Sequence, residues 1–214
     1  MRTLMFSSFK SLMLVAAALF SSLVSAADYQ AGKEYLVLDN PVAVMQDGKI
    51  HVEEAFWYGC PHCFHLEPQL EAWRKTLPAD VDFEGVPAMF GKAWITHAQL
   101  YYTADALGVL DKVHKEIFES IHLKKVMLLR PDDQKAFLVE KAGVTPDEFD
   151  KAYNSFTVKS RMKRGDQRIR AFQINGVPAL IVNGKYVVNA STAGSQEAMI
   201  DVVDFLIEKE RAGN

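Results

Sequence analysis

Cysteine is scarce in this sequence, with two among 214 residues, and those two lie three positions apart. So few cysteines exclude a small scaffold held together by several disulfides, and a chain of this length buries roughly 70% of its unfolded surface without such help. Charge of one sign is also lacking, since the net charge is −3. A mildly acidic protein is a poor general binder of nucleic acid. Apolar residues make up 49% and charged residues 24% of the chain, which is typical of a globular protein.

Long apolar runs are absent beyond residue 26, where no segment reaches the length of about 18 apolar residues that a membrane span needs. The first 26 residues instead have the layout of a secretory signal peptide. Arg2 and Lys10 make the start positive, an apolar run covers Leu12–Phe20, and small residues precede Ala26. This run is too short to cross roughly 30 Å of hydrocarbon as a helix, which disfavours a membrane anchor. We therefore expect cleavage after Ala26 and export to the periplasm, where disulfides persist.

The hydrophobic pattern beyond this leader predicts strands, a long helical stretch and strands again. β-Branched and aromatic residues favour strands at three early segments, 35–38, 50–57 and 81–86. A helical pattern separates the second and third of these strands, and this β–α–β order favours a right-handed parallel crossover. Helical signals then dominate 92–160, where Thr145-Pro146-Asp147-Glu148 predicts a helix start with a capping box between Thr145 and Glu148. Later, Asn183-Gly184 favours a two-residue hairpin between two strands, and an amphipathic helix ends the chain.

The chemistry is concentrated in Cys60-Pro61-His62-Cys63, which follows a predicted strand and opens a predicted helix. Both sulfurs of such a pair face the same side of the first helical turn and can form a disulfide. The first sulfur lies beside unpaired backbone N–H groups and the positive end of the helix dipole, which lower the pKa of its thiol. The thiolate is the attacking and the leaving species in disulfide exchange. Pro61 fits the first helical position, and His62 adds a polar donor that also favours the thiolate.

Three other interpretations compete with a redox dithiol. A purely structural disulfide would close so short a loop that it would remove little unfolded-state entropy. A zinc site needs four ligands, and His62 and His65 have no second cysteine pair or spaced histidine pair downstream. A c-type haem needs histidine directly after the second cysteine, where this sequence has Phe64. A redox dithiol with no metal and no cofactor is therefore the favoured interpretation.

Resemblance to a known family rests on three features: the FWYGCPHC segment at 56–63, the helical block, and Gly176-Val177-Pro178. Together they resemble the DsbA family of bacterial periplasmic thiol oxidases, over essentially the whole chain after residue 26. The resemblance implies an α/β, thioredoxin-like fold with an inserted α-helical domain. It places the parts of the chain as follows: a signal peptide at 1–26, a thioredoxin-like domain at 27–91 and 161–214, and a helical insertion at 92–160.

The resemblance also implies a mechanism for Cys60 and Cys63. The resting protein holds a Cys60–Cys63 disulfide, and a thiolate of an unfolded, newly exported protein attacks the Cys60 sulfur. A second substrate thiolate resolves the mixed disulfide, so that the substrate leaves oxidised and the protein leaves as a dithiol. A DsbB-like membrane protein is expected to reoxidise it by passing electrons to quinone. The expected state is a monomer.

Val177-Pro178 is the first supporting site that the resemblance implies. The matching proline of the family is cis, and its loop lies beside the cysteines and touches the substrate backbone. We therefore expect a cis Val177–Pro178 bond, although only about 5–6% of X–Pro bonds in folded proteins are cis. Val86-Pro87 repeats the dipeptide at the end of the third strand and is expected to be trans.

Glu54 is the second supporting residue. Strand alternation places it among the apolar residues of one face, Ile50, Val52 and Phe56, so we expect a buried carboxyl with a raised pKa. It lies six residues before Cys60, where the family has a buried acid. Its expected role is to take up or supply the proton of Cys63.

The neighbours of Glu54 carry two further expectations. Glu53 points to the other strand face and is expected to be partly exposed. Some family members have a lysine on the third strand near the buried acid, whereas this sequence has Asp82-Phe83-Glu84 there. Glu54 is therefore expected to lack a cationic partner, and Glu84 is a candidate to join it.

A basic run follows on a predicted helix: Lys159, Arg161, Lys163, Arg164, Arg168 and Arg170. We expect a solvated helix face and no nucleic-acid site, because the chain has an export signal and an acidic total charge.

Other functions remain open at this point. A disulfide isomerase or reductase on the same fold is the nearest alternative, but isomerases of this group usually add an N-terminal dimerisation domain, for which we expect no room here. An alternative of another class is a peptide holdase or a carrier that binds a soft metal ion through two thiolates.

Overall fold

A computed structural model describes residues 28–213, so the predicted signal peptide lies outside the described residues. Five strands are present in this part of the chain: β1 (Leu36–Val37), β2 (Ile50–Phe56), β3 (Val81–Pro87), β4 (Ala179–Val182) and β5 (Tyr186–Val188). They form one sheet in the order β1-β5-β4-β2-β3. No helix within residues 28–213 is both long and apolar enough to cross a membrane.

Eight helices accompany the sheet in the described residues. They are α1 (Pro61–Arg74), α2 (Lys92–Ala106), α3 (Leu110–His122), α4 (Pro131–Ala142), α5 (Pro146–Tyr153), α6 (Phe156–Ala171), α7 (Ala190–Ala193) and α8 (Gln196–Arg211). The crossover from β2 through α1 to β3 is parallel, as the β–α–β pattern predicts. The short α7 has no counterpart in the sequence prediction, because four residues carry no helical period.

Strand β2 lies at the centre of the fold and is buried along its whole length. It pairs in parallel with β3 and antiparallel with β4. On one face of the sheet, Val52 belongs to an apolar cluster with residues of α1 and α8, such as Leu70 and Leu206. On the other face, Ala55 packs in a cluster with Ile169 and Phe172, at the end of α6. Helices therefore cover both faces of β2, and every residue of the strand is buried.

This double burial overturns the expectation for Glu53, which is only 3% exposed. Helix α6 covers its face, and the Nε and Nη2 groups of Arg168 both donate to the Glu53 carboxylate. A buried carboxylate without such a partner would be strongly destabilising. The sequence pattern misses this pair because its two residues are 115 positions apart.

The basic run is therefore only partly a solvated face. Arg168 is committed to Glu53, and Arg161 pairs with Asp105 of α2. The other members of the run are exposed as expected: Lys159, Lys163, Arg164 and Arg170. The two inward arginines attach α6 to the sheet and to α2.

Helices α2–α5 and the start of α6 build a separate apolar core next to the sheet. Its buried members include Leu100, Val113, Ile117, Leu138, Phe149 and Val158. Helix α6 is continuous across the expected domain boundary at 160/161. One helix thus carries contacts with both parts of the fold.

Short-range signals are realised as predicted. The Thr145 hydroxyl accepts from the backbone N–H of Glu148, whose carboxylate accepts from the N–H of Thr145, forming a capping box at α5. Asn183 and Gly184 adopt positive φ angles of 50° and 61° between β4 and β5. Each of these features involves residues within a few positions of one another, which is why the sequence alone predicts them.

Helices α2 and α6 approach closely at Gly165. A Cβ atom at this position would overlap the hydroxyl of Tyr102, which lies on α2. Glycine has a low helix propensity, but at this position it allows the two helices to pack closely.

We expect Gly165→Ala to lower the free energy of unfolding by about 1–2 kcal/mol, because the added methyl group forces the two helices apart. Alanine would otherwise stabilise a helix by about 1 kcal/mol relative to glycine. The double variant with Tyr102→Phe should recover most of the loss, since it removes the overlapping hydroxyl. Urea unfolding of the native protein, the two single variants Gly165→Ala and Tyr102→Phe, and the double variant measures these changes. A Gly165→Ala protein more stable than the native one would contradict the close contact between α2 and α6.

Candidate active site

Cys60 is the N-cap residue of α1, directly after the loop that leaves β2. Its backbone is extended, Pro61 occupies the first turn, and no side chain caps the helix. The free N–H groups of the first turn therefore point toward the Cys60 sulfur. Both cysteines are free thiols; Cys60 is 8% exposed and Cys63 is completely buried.

The two thiols have opposite acidities. The pKa of Cys60 is lowered from 9.0 to about 6, first by a hydrogen bond from the Cys63 thiol, then by the N–H groups of Cys63 and His62. The positive charge of His62 is a smaller contribution. The pKa of Cys63 is raised well above 9.0, mainly because burial disfavours its thiolate and because it donates to Cys60. One sulfur is thus ready to be a thiolate and the other stays a thiol.

His62 contributes less to this asymmetry than the sequence motif suggests. His62 is exposed, so water and salt screen the effect of its charge on the Cys60 thiolate. Its backbone carbonyl accepts a hydrogen bond of 2.8 Å from Gln196 Nε2 at the start of α8. That contact ties the first turn of α1 to the C-terminal helix.

The loop before β4 lies against the active-site sulfur. The Cys60 Sγ is 3.6 Å from the carbonyl oxygen of Val177 and donates to it. The Val177–Pro178 bond is cis, whereas Val86–Pro87 is not among the cis bonds of the described residues, so both expectations are confirmed. The fold brings together two segments that lie 117 positions apart.

The helical insertion supports the loop that carries the cysteines. Trp57 stacks on Trp94 of α2 with ring centroids 4.2 Å apart. Gly59 makes room for this ring, because a Cβ atom there would overlap the Trp57 indole. The Tyr58 carbonyl accepts a 2.8 Å hydrogen bond from Nε2 of His122 at the end of α3. The loop is therefore held by α2 and α3 from outside the thioredoxin-like sheet.

Glu54 is the buried acid that the strand pattern predicts. It is 2% exposed, and its buried Oε1 has no hydrogen-bond partner among residues 28–213. The pKa of Glu54 is raised well above 4.5 by burial first and then by the nearby carboxyl of Glu67, while Arg74 opposes the shift. The Cys60 charge raises it as well, and Glu54 in turn raises the pKa of Cys63. Glu54 and the two cysteines are therefore one electrostatic unit.

Two residues that act on this unit, Glu67 and Arg74, were absent from the sequence prediction. Glu67 lies on the buried face of α1 and is 4% exposed. Its place four residues after Cys63, between Leu66 and Leu70, is a signal that helical spacing could have provided. Arg74, at the end of the same helix, is the cation that acts on Glu54. Arg74 acts through its charge only, since its ion pair within residues 28–213 is with Asp111, so the expectation that Glu54 lacks a direct cationic partner stays a prediction.

Glu84 does not face Glu54 in the register of the sheet. It is paired with Glu53, while Glu54 lies opposite Gly85. Glu53 and Glu84 thus share one row of the sheet, and the pKa of Glu84 is raised by burial and by the Glu53 charge. Within residues 28–213, no three His, Cys, Asp or Glu side chains are grouped as a metal site.

Comparison with known proteins agrees with this geometry. A family model described as the DSBA-like thioredoxin domain matches residues 51–199. The chain is 46% identical over 200 residues to the thiol:disulfide interchange protein DsbA of Pseudomonas aeruginosa, covering 94% of both sequences. It is 47% identical over 189 residues to the protein of the same name from Azotobacter vinelandii, covering 88% of both.

Solved structures give the same result. The crystal structure of Pseudomonas aeruginosa DsbA superposes with a TM-score of 0.82 at 45% identity, covering 88% of this chain and 97% of that one. The oxidoreductase DsbA from Xylella fastidiosa superposes with a TM-score of 0.81 at 34% identity, covering 86% and 98%. The α/β, thioredoxin-like fold expected from the sequence is confirmed. The chain belongs to the DsbA family and is a thiol:disulfide interchange protein.

Proposed function

We propose that this chain donates a Cys60–Cys63 disulfide to thiols of unfolded, exported proteins, with Cys60 as the exchanging sulfur and Cys63 as its buried partner. The observation that carries the proposal is the opposite acidity of the two thiols at the start of α1. A thiol of pKa about 6 is a good leaving group and a stable thiolate at neutral pH. Stabilising that thiolate stabilises the reduced protein, so its disulfide becomes a stronger oxidant.

The exchange balances as follows. A substrate thiolate attacks the Cys60 sulfur and forms a new S–S bond, while the Cys60–Cys63 bond breaks and Cys63 leaves with the electron pair. Cys63 then takes up one proton. A second substrate thiolate attacks the substrate sulfur of the mixed disulfide, and Cys60 leaves as a thiolate. The substrate has lost two electrons to form its disulfide, and the protein has gained them.

Glu54 is the proposed proton donor and acceptor for Cys63. Burial raises its pKa well above 4.5, so this carboxyl holds a proton more readily than an exposed one and can pass it to the leaving Cys63 thiolate. In the reverse direction, when the dithiol is reoxidised, the same carboxylate takes the proton back. Such a group is needed because Cys63 is sealed from water.

Val177 and Pro178 are the proposed substrate-binding residues. The Val177 carbonyl already lies against the Cys60 sulfur, so an extended substrate segment beside it would present its own sulfur to Cys60. An exposed apolar side chain lies close by: Phe90 contacts Trp94, which packs against the same apolar cluster as Val177. A surface of this kind suits unfolded chains, which expose apolar residues.

The remaining assignments follow from this function. We propose a periplasmic location after removal of residues 1–26, reoxidation by a DsbB-like, quinone-linked membrane protein, and a monomeric state. We also propose that 27–91 and 161–214 form the thioredoxin-like domain and 92–160 the helical insertion that supports the active-site loop.

The first prediction concerns the reduction potential of the Cys60–Cys63 couple, which we expect to be more oxidising than glutathione. The protein is equilibrated in graded glutathione buffers, and its free thiols are counted by alkylation and mass. A strongly reducing couple would refute the donor function and favour a reductase or isomerase.

The second prediction concerns the pKa of Cys60. Cys63→Ala removes the strongest hydrogen bond to the Cys60 thiolate and should raise the pKa of Cys60 from about 6 by about one unit or more. The pH dependence of Cys60 alkylation by iodoacetamide measures this. Cys63→Ser keeps a hydroxyl donor and should shift the profile less. An unchanged midpoint in Cys63→Ala would contradict the prediction. It would show that the backbone N–H groups and the helix dipole, not the Cys63 thiol, lower the pKa of Cys60.

The third prediction separates the two neighbouring acids of β2. The folded pKa of Glu54 is raised, so its contribution to stability is fully present below about pH 4.5 and is lost as the pH rises through the elevated value. Glu54→Gln should therefore gain stability over the native protein as the pH rises, by up to about 1.4 kcal/mol per pH unit, and should slow exchange at Cys63. Denaturant unfolding of the oxidised proteins between pH 4 and 8 measures the first effect, and stopped-flow exchange measures the second.

Glu53→Gln is the matched control, one residue earlier on the same strand. It weakens the ion pair with Arg168 and should lower stability at neutral pH, opposite in sign to Glu54→Gln. Exchange rates in Glu54→Gln that match those of the native protein at every pH would refute the role of Glu54.

A further inference from the structure

A histidine of the helical insertion connects the active-site loop to the buried acids. His114 lies on α3, and its Nδ1 is 2.7 Å from the hydroxyl oxygen of Tyr58. On the other side of the ring, its Nε2 is 3.4 Å from Oε2 of Glu67. Tyr58 precedes Cys60 by two positions and Glu67 follows Cys63 by four, so one imidazole contacts the segments on both sides of the redox motif.

This contact is secluded from solvent. The side chains of His114 and Glu67 are 12% and 6% exposed. The edges and faces of three buried aromatic rings surround the imidazole: Phe56, Tyr101 and Phe118. Charges in such surroundings interact far more strongly than charges at the surface.

The acid that His114 contacts is itself coupled to the reacting cysteines. The charge of Glu67 raises the pKa of Glu54, and within residues 28–213 a buried oxygen of Glu54 has no hydrogen-bond partner. A positive charge nearby makes it easier for two neighbouring carboxyl groups to be ionised together. Arg74 compensates Glu54 only in part, because the pKa of Glu54 remains raised. An imidazolium beside Glu67 is the second source of positive charge that the geometry offers.

A polar cavity of about 220 Å³ joins these groups to the surface. Glu54, Glu67 and His114 all line it. Its other titratable or charged lining residues are Arg74, Glu84, Tyr101, Asp105, Asp111 and Lys115. Asp111 and Lys115 are exposed, so the cavity has an outlet to solvent on α3. Its size and polarity are sufficient for water molecules that carry protons.

We propose that His114 is a positioning residue whose protonation is linked to the redox state of the cysteine pair, supplying positive charge to the Glu54–Glu67 pair and exchanging its proton through this cavity. The proposal rests on the proposed function, because it takes Cys60 and Cys63 as the redox couple. Reduction adds a thiolate at Cys60, and that negative charge favours a proton on the coupled acids and on His114. By reciprocity, a protonated His114 favours the reduced protein and makes the disulfide more oxidising.

The test follows the histidine side chains by NMR in protein labelled with ¹⁵N at histidine, from pH 5 to 9, in the disulfide and the dithiol form. His114→Gln assigns the His114 signal. We expect the titration midpoint of His114 to be higher in the dithiol form by about half a pH unit or more, which corresponds to about a threefold change in equilibrium constant. His51 is the internal control: it lies between Asp47 and Asp82, away from this cavity, and should titrate identically in both forms.

Two variants complete the test. In Glu54→Gln the difference between the two redox forms should persist or grow, because Glu54 can no longer take up a proton on reduction and so offset the effect of the Cys60 charge on His114. The equilibrium constant of the cysteine pair with glutathione depends on pH. Between pH 5 and 9, this constant should change about threefold less in His114→Gln than in the native protein. A histidine with a merely structural role would affect stability in both redox forms and leave these quantities unchanged.

Equal His114 midpoints in the two redox forms would overturn the proposal, as would a difference that disappears in Glu54→Gln. Failure of the proposed function would look different, since the cysteine pair would then not equilibrate with glutathione in the oxidising range. A protein that exchanges normally while His114 ignores its redox state refutes only the role of His114.

Discussion

Burial of β2 is the constraint on which both the fold and the chemistry depend. Helices close both faces of this strand, yet it carries Glu53 and Glu54 next to each other. Strand alternation sends the two carboxyl groups to opposite faces, where they have different partners. Glu53 meets Arg168 and becomes a structural ion pair. Among residues 28–213, one oxygen of Glu54 has no hydrogen-bond partner, which agrees with its proposed role in proton transfer.

The acidity difference between the cysteines follows from the same constraint. Cys63 faces the buried interior of α1, so burial and the nearby Glu54 both disfavour its thiolate. Cys60, three positions earlier, sits at the open end of the helix, where backbone N–H groups and the Cys63 thiol stabilise negative charge. A short motif can therefore hold two thiols of opposite character, because one helical turn spans the distance from the helix end to the core.

The helical insertion is more than a cover for the sheet. It holds the loop before Cys60 by a Trp57–Trp94 stack and by a hydrogen bond from His122, and it places His114 between Tyr58 and Glu67. These contacts attach the loop between β2 and α1 to helices α2 and α3. They also connect the surface of α3 to the buried acids through one cavity.

Much of the fold is readable from local patterns. The strand at 50–56, the hairpin at Asn183-Gly184 and the capping box at Thr145 appear as predicted, because each depends on neighbours within a few residues. Where prediction failed, the reason was a distant partner. Glu53 was expected to be partly exposed, because its partner Arg168 lies 115 positions away and no local pattern predicts their contact.

By itself, the sequence determined the reaction type and the reacting atoms. The spacing of Cys60 and Cys63, the helix that begins between them and the family motif around them depend only on adjacent residues. Tertiary structure decided which groups tune those atoms: the Val177 carbonyl at Cys60, Arg74 and Glu67 at Glu54, and His114 at Glu67. Their effects arise from burial and from charges a few ångströms apart, and only the folded chain brings such distant positions together.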